Sequence, residues 1–295
     1  MKNTIFTGSG VAIVTPMHAD FSINFEAFGR LIDFQIENGT DAIIVCGTTG
    51  ESATLSHEEH CDVIRYAVGK VAGRVPLIAG TGSNDTAYAL KLSQEAESLG
   101  ADALLMVTPY YNKASQSGLI RHYTYIADRV NLPIILYNVP SRTGCNIAVE
   151  TYTALAKHKN IAAIKEASGD ISAIAKTFAA CGGDVDIYSG NDDQTTAICA
   201  LGGKGIISVF SNICPKEMHD VAALALAGDV AGSAALQLKY LSLMNALFMD
   251  VNPIPVKAAV NLLGFDCGEC RMPLSPLSDA HMTALRKIMA EFGLI

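Results

Sequence analysis

A chain of 295 residues is too long for a minimal domain and suits one large α/β barrel or two ordinary domains. Half of the residues are hydrophobic and 17% are charged, enough for a large core, and a net charge of −8 argues against nucleic acid or an anionic membrane as main partner. No run of about 18 apolar residues occurs and the N-terminus has no apolar signal core, so a soluble, cytoplasmic protein is expected.

Apolar runs and helix-periodic stretches alternate about every 25 residues, the rhythm of repeated βα units around a parallel sheet. Strands are predicted at 10–15, 42–46, 77–79, 103–108, 134–137, 161–165, 186–189 and 205–209. Between them, helical periodicity falls at 24–37, 57–71, 86–99 and 119–129. Asn24, Ser56 and Asp85 suit N-caps, and Gly39, Gly73 and Gly100 stand where a C′ glycine belongs. Eight such units point to a (β/α)8 TIM barrel over residues 1–225. A doubly wound open sheet is the alternative, but no G-x-G-x-x-G turn is followed by a helix and a later acid. Beyond residue 225 the strand signals stop. Helical stretches at 231–249, 255–263 and 279–292 predict a C-terminal helical extension, 226–295, packed on the barrel.

In such a barrel the chemistry sits at the C-terminal ends of the strands, and polar residues gather there. The second strand runs into Gly47-Thr48-Thr49-Gly50-Glu51-Ser52. Two hydroxyls between glycines ahead of a helix are either an ordinary capped turn or a set of donors for a carboxylate. The fourth strand ends in Thr108-Pro109-Tyr110-Tyr111-Asn112, and the fifth in Tyr137-Asn138-Val139-Pro140-Ser141-Arg142-Thr143-Gly144. A strand-end tyrosine is commonly a packing residue with a wet tip, and an arginine beyond it is either a solvated charge or a carboxylate clamp.

The sixth strand carries Ile161-Ala162-Ala163-Ile164 straight into Lys165 and Glu166. Alternation turns Lys165 the same way as Ile161 and Ala163, with Glu166 opposite. Lys165 is then either a lysine snorkelling to water from a strand end or a desolvated amine, favoured in its neutral form and able to form a Schiff base with a carbonyl. The seventh strand ends in Ser189-Gly190-Asn191-Asp192-Asp193. Convergence of all these groups on one rim favours the catalytic amine.

Eight cysteines, at 46, 61, 145, 181, 199, 214, 267 and 270, are expected to be reduced and to act mostly as small hydrophobes. Cys267-Gly268-Glu269-Cys270 is the only CxxC; no second pair or nearby HxxxH completes a zinc site, so it reads as two loop cysteines. His57 and His60 lie three apart near a helix start with no evident third ligand, and read as solvated helix positions. No P-loop and no G-x-S-x-G occur. No metal is expected, and chemistry without metal or bound cofactor suits a Schiff base.

Gly47-Thr48-Thr49-Gly50-Glu51, Tyr110-Tyr111-Asn112, Tyr137-Asn138-Val139-Pro140-x-Arg142-Thr143-Gly144 and Ile164-Lys165-Glu166 stand in an order and spacing that resembles the dihydrodipicolinate synthases (4-hydroxy-tetrahydrodipicolinate synthases). These belong with N-acetylneuraminate lyase to the pyruvate-dependent class I aldolases. The similarity continues through Asn252-Pro253-Ile254-Pro255-Val256-Lys257 and Arg271-Met272-Pro273-Leu274-Ser275-Pro276-Leu277, covering nearly the whole chain.

The resemblance implies that Lys165 forms the Schiff base with pyruvate and that Tyr137 moves protons at the carbinolamine and supports the enamine. It implies that Thr48 links Tyr137 to Tyr111, the latter supplied by a neighbouring subunit. Thr49 would bind the pyruvate carboxylate, Ile207 would border that pocket through its backbone, and Gly190 would line the site. Arg142 would bind the carboxylate of the second substrate, L-aspartate 4-semialdehyde. The product would be 4-hydroxy-tetrahydrodipicolinate, on the route to diaminopimelate and lysine, made by a homotetramer (a dimer of dimers) without a cofactor.

An effector pocket for L-lysine is implied at Ser52, Ala53, His57, His60, Asn84, Tyr88 and Tyr110. Residue 88 is tyrosine where lysine-inhibited members often carry glutamate, so weak or absent inhibition is expected. Ala114 stands where the family often has proline, beside the loop carrying Tyr111. Another pyruvate aldolase, such as N-acetylneuraminate lyase or a keto-deoxy sugar-acid aldolase, would keep the lysine and Tyr137, but Thr48 and Arg142 favour the synthase. A non-catalytic keto-acid-binding barrel is disfavoured because Lys165, Tyr137 and Tyr111 are all present.

Overall fold

Short, β-branched-rich apolar segments become strands because nearly every residue in them is buried, as expected where helices cover one face of a closed sheet and side chains fill the other. The structure, a computed structural model, describes residues 2–295. In chain order the barrel elements are β1 (Gly8–Ala12), α1 (Phe25–Glu37), β2 (Ala42–Val45), α2 (His57–Val71), β3 (Leu77–Gly80), α3 (Thr86–Leu99), β4 (Ala103–Val107) and α4 (Gln116–Ala127). They continue with β5 (Ile134–Asn138), the short α5 (Pro140–Thr143), α6 (Val149–Leu155), β6 (Ile161–Glu166), α7 (Ile171–Cys181), β7 (Asp186–Ser189), α8 (Thr195–Ala200), β8 (Gly205–Ser208) and α9 (Pro215–Leu226). After them come α10 (Val230–Ala246), α11 (Ile254–Leu262) and α12 (Asp279–Glu291).

All eight strands pair in parallel in sequence order, and β1 closes the barrel on β8. That closure requires glycine at 205: its φ is +135°, and a Cβ would stand 1.8 Å from the Gly8 carbonyl oxygen. Two apolar layers result. The inner one, including Ile44, Ile78, Leu105, Ile135, Tyr188 and Ile207, fills the barrel. The outer one joins the strands to the helices. At the N-terminal end Phe6 stacks on Tyr188 with centroids 4.4 Å apart, and the Tyr188 hydroxyl donates to the Phe6 carbonyl at 2.6 Å, stopping the barrel below the site.

The helix ends follow local chemistry. Asn24, Ser56 and Asp85 accept hydrogen bonds from first-turn amides, and Ser56 with Glu59 forms a capping box. The fourth helix begins at Gln116, earlier than apolar periodicity indicates, because Ser115 caps a first turn that carries no apolar residue.

Three strand expectations need correction. The first strand lies at Gly8–Ala12 and not at 10–15. Beyond Ile13 the chain leaves the sheet, with the Val14 amide on Asn212 Oδ1 at 3.0 Å and the Thr15 hydroxyl on the Gly50 carbonyl at 2.8 Å. The second strand stops before Cys46, whose φ of 54° is left-handed. In the sixth strand, Ile134 pairs with Ile161 but Ile135 pairs with Ala163, so Ala162 is an extra residue. This bulge shifts the phase: Ile161 packs in the outer layer, while Ala163 points into the barrel.

The C-terminal helices are fastened to the β2–α2 loop by a buried ion pair. Lys257 Nζ lies 2.7 Å from Glu51 Oε1, with side-chain exposures of 1% and 2%. Each group has a further partner: Lys257 also donates to the Glu269 carbonyl at 2.9 Å, and the Arg271 amide donates to Glu51 Oε2 at 2.8 Å. The Arg271 guanidinium grips both oxygens of Glu59 at 2.5 and 2.7 Å and the carbonyls of Thr54 and Phe21. Cys267 and Cys270, expected on a loop, are buried beneath this clasp, and burial pushes both thiols up to about 12.

Candidate active site

Lys165 and Tyr137 are register partners on adjacent strands, β6 and β5, near the C-terminal end of the barrel. A parallel register turns both side chains inward, and Lys165 Nζ lies 4.3 Å from the centroid of the Tyr137 ring. Lys165 is only 5% exposed, so it does not snorkel to water. Burial is the main cause that pulls its ammonium down to about 7; the Asp192 carboxylate opposes this and the Arg142 guanidinium adds to it. The same burial raises the Tyr137 phenol above its ordinary range, with Arg142 and the Thr48 hydroxyl partly offsetting the rise. Near neutral pH the pair is therefore a substantially neutral amine against a protonated phenol, a nucleophile beside a proton donor.

A cavity of about 220 Å³ opens over this pair. Its walls include Thr48 and Thr49 from the turn after β2, Arg142 from α5, Gly190 after β7, Val209 after β8 and Asn252 from the extension. Thr49 is buried, and its hydroxyl accepts a hydrogen bond from Asn252 Nδ2 at 3.0 Å. Arg142 is anchored by donation to the Asn252 carbonyl at 3.2 Å. Gly190 cannot carry a side chain: a Cβ there would stand 2.7 Å from Ala167 Cβ and 3.1 Å from Lys165 Cε. Ile207 is fully buried in the inner core, whereas Val209 forms the cavity wall after β8.

Tyr111 is not brought into this cavity. It is 89% exposed, with a left-handed φ of 71°. Of the groups expected in the effector pocket, Ser52, Ala53, His60, Tyr88 and Tyr110 line a second cavity of about 360 Å³. It shares Thr48, Val139, Arg142 and Asn252 with the first. His57 and Asn84 are not in its wall; the Asn84 carbonyl instead accepts from Asn112 Nδ2 at 2.7 Å. His60 is not the solvated helix residue expected: it is 5% exposed, and its Nε2 meets the Gly80 carbonyl at 2.8 Å.

Two groups beside the amine carried no role in the sequence reading. Asp192, buried, receives the Ser208 hydroxyl at 2.5 Å and the Phe210 and Val209 amides at 3.0 and 3.3 Å. Burial lifts its carboxyl to about 6 against those hydrogen bonds and the charge of Lys165. Its only signal in the sequence is an Asp-Asp pair that begins three residues past a strand end. Asn252 lies 203 positions from the threonine it holds, a distance that local patterns do not span.

On the outer side of the same strands, Glu166 is held by the Tyr152 hydroxyl at 2.9 Å, the Ser168 amide at 2.9 Å and Asn138 Nδ2 at 3.1 Å. These bonds join the ends of β5 and β6 behind Tyr137 and Lys165 and fix the spacing of the pair.

Residues 5–292 match the model of the dihydrodipicolinate synthetase family. The chain is 56% identical over 292 residues to a 4-hydroxy-tetrahydrodipicolinate synthase of Lachnoclostridium phytofermentans, covering 99% of each. Its structure superposes with a TM-score of 0.97 on a chloride-inhibited dihydrodipicolinate synthase from Acinetobacter baumannii complexed with pyruvate, at 44% identity over 99% of this chain and 100% of that one. The corresponding enzyme of Cyanidioschyzon merolae with lysine bound superposes at 0.96 and 38% identity, with 99% and 100% covered.

Proposed function

The chain belongs to the dihydrodipicolinate synthetase family, and on that premise we propose which of its residues carry the family's chemistry. The enzyme is a lyase of the class I aldolase type. It condenses pyruvate with L-aspartate 4-semialdehyde to 4-hydroxy-tetrahydrodipicolinate, in diaminopimelate and lysine biosynthesis.

Lys165 Nζ attacks the pyruvate carbonyl carbon, and the carbinolamine loses water to leave the Schiff base. The observation that carries this assignment is a buried amine held near 7 against a tyrosine ring inside a cavity. Tyr137, protonated at neutral pH, supplies the proton that expels water and receives one when the enamine forms. Thr49 and the turn amides around it bind the pyruvate carboxylate, with Asn252 holding the threonine hydroxyl in place. Gly190 leaves room for the adduct on Nζ, and the backbone beside Ile207 borders the pyruvate end. Arg142, with a planar fork suited to two carboxylate oxygens, takes the second substrate. The amine is itself the electrophile's partner, so the scheme needs no cofactor.

Thr48 links Tyr137 outward to Tyr111 of a second subunit. The exposure of Tyr111, with Tyr110 beside it 38% exposed, supports a pairing of subunits at this face. We assign the assembly as a homotetramer built from two such pairs. Contacts of Glu51, Glu59 and Thr49 with residues 252–271 support treating residues 226–295 as an appendage of the barrel over 1–225. We place the enzyme in the cytoplasm, a compartment that keeps thiols such as its eight free cysteines reduced. The cavity lined by Ser52, Ala53, His60, Tyr88 and Tyr110 suits an amino-acid effector, with Tyr88 offering a neutral phenol in place of a carboxylate.

Treatment with pyruvate and borohydride should add a reduced three-carbon unit to Lys165, located by peptide mass spectrometry. A coupled assay with both substrates should show turnover that Lys165→Ala removes. Labelling of a different lysine, or none, would overturn the assignment.

A further inference from the structure

On the flank of the barrel, α2 and α3 bring together three side chains that the condensation does not use. His57 and Cys61 lie one helical turn apart on α2 and share a face, and Glu95 meets them from α3. His57 Nε2 is 3.0 Å from Glu95 Oε2, and Cys61 Sγ is 3.3 Å from the same oxygen. One donor atom from each residue lies within 4.8 Å of the others. We propose that His57, Cys61 and Glu95 form a binding site for Zn²⁺, through Nε2, Sγ and a carboxylate oxygen.

Metal–donor bonds of about 2.0–2.3 Å in a tetrahedral zinc centre set donors roughly 3.3–3.7 Å apart. The separations here need only side-chain adjustments to reach that spacing. One nitrogen, one sulfur and one oxygen form a set that borderline Zn²⁺ accepts and that Mg²⁺ and Ca²⁺, which take oxygen ligands, do not. The imidazole is oriented for the task. Its Nδ1 lies 3.5 Å from the Tyr88 hydroxyl, which leaves Nε2 directed at the other donors. A partner on the far ring nitrogen is the usual device for holding a metal-binding histidine.

Arg65, the cation beside Cys61, is engaged by Asp62. The His57 and Glu95 side chains are 25% and 33% exposed, giving the ion an entry path and a water as fourth ligand. On binding, the Cys61 thiol proton, now directed at Glu95, leaves to solvent and sulfur binds as thiolate.

The test uses the full chain, stripped with a chelator and titrated with Co²⁺ and then Zn²⁺. One Co²⁺ per chain should bind with a thiolate-to-cobalt charge-transfer band, and Zn²⁺ should displace it. Cys61→Ser should abolish the band while melting as the parent does, and Cys270→Ser should leave it unchanged. His57→Ala and Glu95→Gln, on different helices, should each weaken binding by about tenfold or more. Absence of stoichiometric uptake by the parent, or a thiolate band that survives in Cys61→Ser, would overturn the site.

Discussion

The charge balance around Lys165 makes its reactivity depend on pH in a way that two substitutions should move in opposite directions. A pKa of about 7, lowered from 10.5, leaves about half of the amine neutral at pH 7. A solvated lysine would be neutral in only about 0.03% of molecules, so burial raises the nucleophilic fraction roughly a thousandfold, corresponding to about 4 kcal/mol. The initial rate of borohydride-trapped pyruvate adduct, followed from about pH 5.5 to about 9.5, should climb tenfold per unit at low pH and level off above about 7. Asp192→Asn removes the carboxylate that holds the proton on Lys165 and should shift the half-point down. Arg142→Ala removes the opposing cation and should shift it up. Both movements should be smaller than the displacement caused by burial, the largest influence. Pyruvate alone is used, so the role of Arg142 towards the second substrate does not enter. A parent half-point above about 9, or movement of both variants in one direction, would refute the account. Stability carries the same signature. Because the pKa falls on folding, the native state binds fewer protons than the unfolded chain between about pH 7 and 10.5, and stability attributable to Lys165 rises with pH across that window. Lys165→Met should therefore stabilise the protein below pH 7 and lose that advantage towards pH 10.5.

Mixing Tyr111→Phe with Lys165→Ala subunits under exchange conditions should restore part of the activity that each lacks; absence of recovery would mean that Tyr111 serves its own chain or has no catalytic part. Steady-state kinetics of Arg142→Ala should show kcat/KM for aspartate semialdehyde falling roughly ten- to a hundredfold, the equivalent of about 1.5–3 kcal/mol, with pyruvate KM little changed. Glu51→Gln leaves the buried Lys257 ammonium without its counter-charge and should cost about 3–5 kcal/mol in urea unfolding, while the paired change Glu51→Gln with Lys257→Met should recover part of the loss. Lysine should inhibit the parent weakly and Tyr88→Glu more strongly, measured as inhibition curves side by side; micromolar inhibition of the parent would contradict this.

The barrel was legible because its signals are local. Unbroken apolar runs marked the strands, and period-3.6 patterns, the Ser56 and Asp85 caps and the glycines at 73 and 100 determined α2 and α3 to the residue. Lys165, Tyr137, Thr48, Thr49, Arg142 and Gly190 were legible because strand ends in this fold point one way, and the structure brings these six to one cavity. What failed was non-local. The bulge at Ala162 is set by pairing with β5 and leaves no mark in the run Ile161–Glu166 itself. The burial of His60 depends on β3 supplying the Gly80 carbonyl. Asp192 gains its influence from amides at the end of β8, and Asn252 from a turn some two hundred residues earlier. Long-range complementarity of this kind has no period to detect.

The clasp between Glu51 and residues 257–271 also orders events during biosynthesis of the chain itself. A ribosome delivers the N-terminal portion first, and domains fold as their residues emerge. The strand ends bearing Thr48, Tyr137 and Lys165 are thus extruded well before the residues that seat them. Until Asn252, Lys257 and Arg271 arrive, Thr49 and Arg142 lack their tethers, and Glu51 must stay hydrated, since a lone carboxylate at 2% exposure is too costly to bury. A nascent barrel therefore keeps its mouth open to water. Competence to capture pyruvate is expected only once residues 252–271 have emerged, because a Lys165 amine open to water keeps its proton and is a poor nucleophile.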